Sequence, residues 1–577
     1  MKKITLVIVV LSVLCMISCS SDTNVSSSQK NFPIKLITEK PLFIDKAKQY
    51  NLNFTYNTGS TGDLYLAEIV GGGAAFFDCD NDGDLDVLFN QGTLISRDKI
   101  YTDAQPILFR NELSIINEDR KLNFTDITEF SGITPGQYGI GVSTADVDND
   151  GFIDFYLTVF GQNRLFHNLG NCKFTEIKNQ LSDKNWSVSS SFFDLDSDGW
   201  LDLFVGNYVD HSNINNKTCR NAAGQIDYCS PKAYQPQTNS LWRNLGQLKF
   251  QNISTKSGIS SSAGGALGVI ASDFNGDHLI DIYVANDQFP NFLWQNKANM
   301  RFENVALING CAVNSSGLAE ASMGLDIGDI DNDGDFDIFM THLRRETNTF
   351  FEMNEGQCLD RSNVSGLAAA SVAYTGFGTG LFDMDNDSDL DVFVANGEIE
   401  RISAQVLKGD PFPLKQKNQL FENTGAGQFR DISSEAGAAI NLETVSRGAA
   451  FGDIDNDGDT DILVINSNAA AQLLINTKGQ DKNWIGFDIY EDKLNRHAIG
   501  AVVEIEMTDG SKRIKRVATD GSYAVANDPR VIFGLDGDIS INRVKVYWLD
   551  GNFSEYHNLK SGKYYKILRN GSSVTEL

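Results

Sequence analysis

The sequence predicts an all-β fold: a seven-bladed β-propeller over residues 41–482 followed by a small β domain over 483–577. Three observations carry this reading. An acidic nine-residue pattern recurs seven times, short β-forming runs flank its copies, and most copies are followed by a second unit, Leu-aromatic-x-Asn and then a Phe-bearing strand. A repeat holding about four strands has the size of a propeller blade.

The acidic pattern is Asp-x-Asp-x-Asp-Gly-x-x-Asp. The first copy runs Asp78, Asp80, Asp82, Gly83, Asp84, Asp86; the second Asp146, Asp148, Asp150, Gly151, Asp154; the third Asp194, Asp196, Asp198, Gly199, Asp202. The fourth departs most, with Asp273, Asn275, Asp277, then His278 in the Gly position, and Asp281. The fifth has Asp329, Asp331, Asp333, Gly334, Asp335, Asp337. The sixth has Asp383, Asp385, Asp387, Ser388 for Gly, Asp389 and Asp391, and the seventh Asp453, Asp455, Asp457, Gly458, Asp459, Asp461.

A hard cation such as Ca²⁺ takes roughly six to eight oxygens, and alternate residues of a tight loop aim their side chains inward. Positions one, three, five and nine are therefore expected to supply carboxylates, and position seven its backbone carbonyl. Position six must turn sharply with positive φ, which favours Gly; His278 is the milder departure and Ser388 the greater. An EF-hand would need Glu at position twelve, where the copies have Phe89, Leu157, Val205, Val284, Met340, Val394 and Val464. None of these can coordinate, so the EF-hand is excluded and the loop joins two strands. The alternative, a solvated acidic turn without metal, leaves four or five carboxylates repelling one another. Up to seven Ca²⁺ are expected, and they would halve the net charge of −28.

The second unit reads Leu108-Phe109-Arg110-Asn111, Leu165-Phe166-His167-Asn168, Leu241-Trp242-Arg243-Asn244, Leu293-Trp294-Gln295-Asn296 and Leu420-Phe421-Glu422-Asn423, each leading to a Phe strand such as Phe124-Thr125-Asp126-Ile127. The seventh copy stops at Leu473-Leu474-Ile475-Asn476 without one. Phe43-Ile44-Asp45-Lys46 has the missing character and is expected to complete the seventh blade, which removes the exposed sheet edges.

At the N-terminus, Lys2-Lys3, an apolar run from Ile4 to Ile17 and Ser18-Cys19 read as a signal peptide over 1–19. Met16-Ile17-Ser18-Cys19 resembles a bacterial lipobox, with Cys19 as the lipidated residue and 20–40 as a flexible tether. The membrane is then met through the lipid anchor alone, on the outer membrane. The remaining cysteines enter a compartment that permits disulfides. Cys219 with Cys229, in an Asn-rich insertion between Asp210 and Gln237, is the most local pair; Cys311 with Cys358 is a second, and six buried thiols are the alternative.

The acidic balance, with a pI near 4.6 and no clustered Lys and Arg, argues against nucleic acid. The loops resemble the FG-GAP or VCBS repeats of integrin α-subunit propellers, and the whole arrangement resembles the cartilage acidic protein family, whose bacterial members carry a C-terminal ASPIC/UnbV domain. The C-terminal resemblance rests on Asn483-Trp484-Ile485, Ile499-Gly500-Ala501, Tyr523, Asn527-Asp528-Pro529-Arg530, Phe533-Gly534-Leu535 and Val544-Lys545-Val546-Tyr547-Trp548, with Val525, Asp536 and Leu549 as departures. By strand alternation alone this segment is a small sandwich or barrel.

In the integrin propellers the loops lie on one face and ligands bind the other, which implies that Asn90, Asn207, Asn286, His342, Asn396 and Asn466 ring the ligand face here. Asn capping its own turn is the competing role. Glu68, Trp186, Tyr374 and Arg447 precede first strands and are candidates to line the same mouth, with packing as the equal alternative for each. Seven similar metal sites around a ring read as staples, and no nucleophile with a base, His-rich metal site or phosphate loop stands out. A protein- or glycan-binding, adhesive module of the cell envelope is the first expectation. An enzyme with its pocket at the central channel is the second, to be marked by a deep polar pocket at His211, His342 or Glu68.

Overall fold

A computed structural model describes residues 40–577 apart from 117–118, 182–184, 222, 495, 536–539 and 570–573. The expected leader, Cys19 as the expected lipidation site, the expected tether up to residue 39 and Asp536 lie outside the described residues.

Seven four-stranded antiparallel sheets form the blades. Blade 2 shows the plan, with strands Tyr138–Ala145, Asp154–Phe160, Arg164–Asn168 and Phe174–Ile177 running from the axis outward. The inner strands of successive blades pack on one another round the ring, and that of blade 7, Ser446–Gly452, packs on that of blade 1, Ala74–Phe77. Each sheet is thereby covered on both faces, which is why inner strands such as Tyr138–Ala145, Ala266–Ser272 and Ser446–Gly452 are buried throughout, their Ser, Thr and Arg included. Alternation assigns the faces: Ile282 and Val284 pack toward blade 3 with Phe204 and Leu241, while Tyr283 between them packs toward blade 5 with Ile338 and Met340.

Phe43–Asp45 pairs antiparallel with Gln472–Asn476, Phe43 opposite Asn476 and Asp45 opposite Leu474. The N-terminal strand thus supplies the outer strand of blade 7, as its Phe-Ile-Asp pattern predicts.

Residues 483–577 form two sheets. One holds Asn483–Glu491 between Val531–Leu535 and Lys563–Leu568, the latter pairing parallel; the other is ordered Lys512–Arg516, Val502–Met507, Ile541–Tyr547, Phe553–Tyr556. Ile485, Phe487, Ile489, Val503, Ile505, Val544, Val546 and Ile567 are buried in a common core, as in a sandwich.

This domain is not a separate bead: Pro41–Leu577 is one compact unit. The segment between its strands Lys512–Arg516 and Val531–Leu535 runs into the axis of the ring. Ala526 exchanges backbone hydrogen bonds with Ala74 and Phe76 of blade 1, Val142 N of blade 2 donates to Ala524 O, and Leu325 N of blade 5 donates to Ser522 O. Tyr523, fully buried, donates to Val70 O at 2.8 Å and sets its ring edge-on to Phe377 at 5.0 Å. Glycines admit the segment: a Cβ on Gly73 would stand 2.7 Å from Ala524 O, and one on Gly448 2.7 Å from Val525. Among the described residues no helix is long and apolar enough to cross a membrane.

Candidate functional site: the acidic loops and the two faces of the ring

Each acidic loop connects the first and second strands of its blade, so all of them lie on one face. The first Asp organises the turn: Asp146 Oδ1 accepts from Asp150 N and Oδ2 from Gly151 N, and Asp78, Asp194, Asp273, Asp383 and Asp453 do the same five residues ahead. Position six has positive φ in every copy, from 65° at His278 and 79° at Ser388 to 100° at Gly334. Position four is left-handed as well, from 54° at Asn386 to 73° at Gly276. Sequence reasoning passed over that second turn, although Asn at Asn81, Asn149, Asn332, Asn386 and Asn456 signals it, since Asn tolerates αL.

The carboxylates converge. Ligand atoms of Asp78, Asp80 and Asp82, of Asp146, Asp148 and Asp154, and of Asp194, Asp196 and Asp202 lie within 4.8 Å of one another. Burial and then neighbouring carboxylates push their protonation upward, to about 7 at Asp146 and Asp329 and about 8 at Asp202, Asp281 and Asp337. The third-position Asp80, Asp148, Asp196, Asp331 and Asp455 each keep a buried Oδ1 with no hydrogen-bond partner. Orphaned buried oxygens among like charges are the donor set a hard divalent cation takes. At position seven, where the backbone carbonyl is the expected ligand, the side chains divide: Asp459 has both oxygens buried and unpartnered, whereas Asp84 accepts from Asn456 and Asp389 from Asn332, so these two side chains bridge blades.

The ninth Asp carries the link to the second repeat unit. Asp154 Oδ2 accepts from Val147 N and Oδ1 from Asn168 N, and Asp86, Asp202, Asp391 and Asp461 repeat the pair. The Asn side chain then crosses to the preceding blade: Asn168 Nδ2 donates to Cys79 O, Asn244 to Val147 O, Asn423 to Ile330 O, Asn476 to Met384 O and Asn111 to Ile454 O. Position-four asparagines reach the other way, Asn81 to Gly151 O, Asn149 to Gly199 O, Asn386 to Gly458 O and Asn456 to Gly83 O. Six of the seven loops are thus tied by backbone carbonyls to a neighbouring blade, the fourth being the exception since Asn296 reaches only Ile280 of its own blade and position four is Gly276.

The FG-GAP-like repeat family matches residues 146–205, 273–340 and 383–464, and the ASPIC and UnbV family matches 491–574. The chain carries FG-GAP-like repeats and an ASPIC and UnbV domain. It is similar to cartilage acidic protein 1 of Homo sapiens, 23% identical over 524 residues that cover 86% of this chain and 71% of that one. To the Mus musculus protein it is 24% identical over 505 residues, covering 83% and 70%. The solved structure of YCF48 bound to D1 peptide superposes with 7% identity and a TM-score of 0.38 over 71% of this chain and 93% of that one. The FG-GAP-like propeller and its disulfides mark an extracellular protein.

The ASPIC and UnbV domain sits on the loop face. Tyr564 donates to Asp453 Oδ2 at 2.7 Å and Arg530 to Asp453 O and Asn456 Oδ1. Arg496 lies 3.7 Å from Asp194. Both departures from Gly at position six face this domain: Ser388 Oγ donates to Gly534 O at 2.7 Å, and His278 lies against Gly551. The sequence read these two only as departures from the favoured Gly. The structure makes them docking residues.

On the opposite face the expected ring of ligand-contacting residues is corrected. Asn90, Asn207, Asn286, His342, Asn396 and Asn466 are all at most 2% exposed. The amides are spent on the protein's own backbone: Asn207 Nδ2 donates to Thr238 O, Asn286 to Pro290 O, Asn396 to Lys417 O and Asn466 to Ala470 O within their own blades, and Asn90 Nδ2 crosses to Gly141 O of blade 2. The channel is filled, Tyr523 entering from the loop face and Arg447, fully buried, donating to Ile69 O, Gly397 O and Glu398 O with its guanidinium 4.0 Å from the Phe377 ring. Glu68 is buried beneath Tyr228, whose hydroxyl donates to it. Tyr228 belongs to the insertion, which is stapled by Cys219–Cys229 and reaches Arg401 of blade 6 through Asp227. Cys311–Cys358 also forms. Cys79–Cys172, which the sequence left unpaired, ties the first acidic loop to the outer turn of blade 2.

Proposed function

We propose that the protein is a calcium-stapled propeller of the bacterial cell envelope, lipid-anchored through Cys19, that binds a protein or glycan through the face away from the acidic loops. The observation carrying this reading is the division of labour between the faces: the loop face is occupied by the ASPIC and UnbV domain, and its carboxylates keep buried unpartnered oxygens at position three of five loops. Repeating such a site round a ring suits structure, because each ion would hold one blade to two neighbours. The opposite face carries the insertion and an open cleft beside it.

Calorimetric calcium titration of the chain from Pro41 to Leu577 tests the metal part. About one ion per acidic loop, with a chelator-induced fall in Tm, is expected; one or two ions with an unchanged Tm would overturn the stapling. Labelling with a radioactive fatty acid that is lost in Cys19→Ala tests the anchor.

A further inference from the structure

The cleft on the open face has a chemistry that the family resemblance does not assign. It is lined by blade 1's loop (Lys99, Tyr101), blade 2 (Gln137, Phe160), the start of blade 3 (Trp186) and the insertion (His211, Asn213), and its volume is about 150 Å³. That is below the ~300–1,000 Å³ of sites for drug-sized ligands and gives room for one ring. Trp186 and His211 are 3% and 4% exposed, with ring centroids 5.5 Å apart, and Phe160 sets its ring edge-on to Trp186 at 5.1 Å.

Two buried polar atoms of these rings have no partner among the described residues, Trp186 Nε1 and His211 Nδ1, and a ligand in the cleft meets them only as the rings shift to admit it. His211 Nε2 lies 3.3 Å from Asn216 Oδ1, an acceptor, so Nε2 carries the proton and Nδ1 is a bare acceptor. Burial holds this imidazole neutral, down to about 4. Trp186 Nε1 can only donate. A group that meets both must accept and donate at once. A hydroxyl does so; a carboxylate cannot donate and an ammonium cannot accept. No Asp or Glu lines the cleft, and its one cation, Lys99, rests its ammonium 4.1 Å above the Tyr101 ring at the rim. Gln137 Oε1 is engaged by Gln162 N, which leaves its amide N–H groups as further neutral donors.

We propose that this cleft binds a single neutral sugar ring, the terminal unit of a glycan, with the aromatic rings against its apolar face and one hydroxyl between Trp186 Nε1 and His211 Nδ1. The proposal rests on the reading of this face as the binding face and narrows it from protein or glycan to glycan. The chain Pro41–Leu577 with calcium is mixed with methyl glycosides of hexoses and N-acetylhexosamines at millimolar concentration, and saturation transfer from protein to sugar is read by NMR. At least one glycoside is expected to receive saturation. Trp186→Phe, which keeps the ring and loses the N–H, should weaken binding about three- to tenfold, the size of one neutral hydrogen bond. Tyr101→Ala, at the rim and outside the core, should weaken it with Tm unchanged. Transfer to no glycoside, or transfer unaltered in both variants, overturns the proposal. In the second outcome glycan binding elsewhere on the ring survives, so the two failures are told apart.

Discussion

Asn244 offers the sharpest test of how the ring is held. Its side chain is fully buried and makes three hydrogen bonds: Nδ2 to Val147 O at 2.8 Å and Leu201 O at 3.0 Å, and Oδ1 from Gly246 N at 2.9 Å. Asn244→Ala leaves two carbonyls and one N–H in the interior without these partners. At ~1–1.5 kcal/mol for each bond lost the destabilisation is about 4 kcal/mol. The backbone bond from residue 244 to Asp202 survives the substitution, so the loss is confined to the side chain. The assay is urea unfolding of the calcium-loaded chain, with hydrogen exchange read loop by loop. Because Val147 belongs to blade 2, protection should fall over residues 146–154 as well as in blade 3, while loops 5 and 6 keep theirs. Blade 5 is the natural control, since Met353 stands at this position and only its backbone N reaches Asp337. A destabilisation under about 1 kcal/mol, or a loss of protection spread evenly over all loops, would refute the inter-blade clasp.

Tyr523→Ala should cost about 3–5 kcal/mol as a buried aromatic truncation and should expose 518–530 to protease before any blade is cut; equal susceptibility of plug and blades would show that the axis is not sealed by this segment. Chelation should loosen the ASPIC and UnbV domain, because Asp453 and Ser388 belong both to acidic loops and to its docking surface; hydrogen exchange should then rise at Tyr564 and Gly534, and an unchanged rate there would separate metal from docking. In chelator, the folded-state values of Asp146, Asp202 and Asp329 lie above their unfolded ones, so their contribution is present at low pH and lost as pH rises through about 7 to 8. Metal-free protein should thus be less stable at pH 8 than at pH 6, and calcium should flatten that slope; the opposite slope would sink the argument. His342 has the reverse sign. Burial lowers it to about 4, so its contribution is complete above the ordinary histidine value and lost as pH falls toward 4, on the order of 3 kcal/mol, and His342→Gln should remove that part of the acid sensitivity of urea midpoints.

The repeat was legible because its chemistry is local. Carboxylates at alternate positions, a left-handed sixth residue and an apolar twelfth are dictated within nine to twelve consecutive residues, so Asp146 to Leu157 specify a hairpin loop wherever they fall. The four-stranded size of a blade and the sealing strand Phe43–Asp45 followed from the same short-range pattern, and Cys219–Cys229 was the candidate pair closest in the chain. Position four of the loop was equally readable, through its asparagines, and was passed over.

What the tertiary structure decided is where one repeat meets another and where the C-terminal domain lies. Cys79 and Cys172 are 93 residues apart and meet only because blades 1 and 2 are neighbours in the ring. The asparagine of Leu-aromatic-x-Asn looks like a turn residue in one dimension; its partner is a carbonyl of the blade before. Arg447 read as a candidate for the mouth of the ring and is instead, with Tyr523 of the C-terminal domain, the fully buried centre of the molecule, because a closed ring leaves an axial hole that the chain fills with its own residues. The sequence by itself determined the unit of construction, since each loop and strand is specified by its neighbours in the chain. Only the closed ring decided which polar side chains are masonry and which face remains open, because burial at the axis and between blades depends on residues hundreds of positions away.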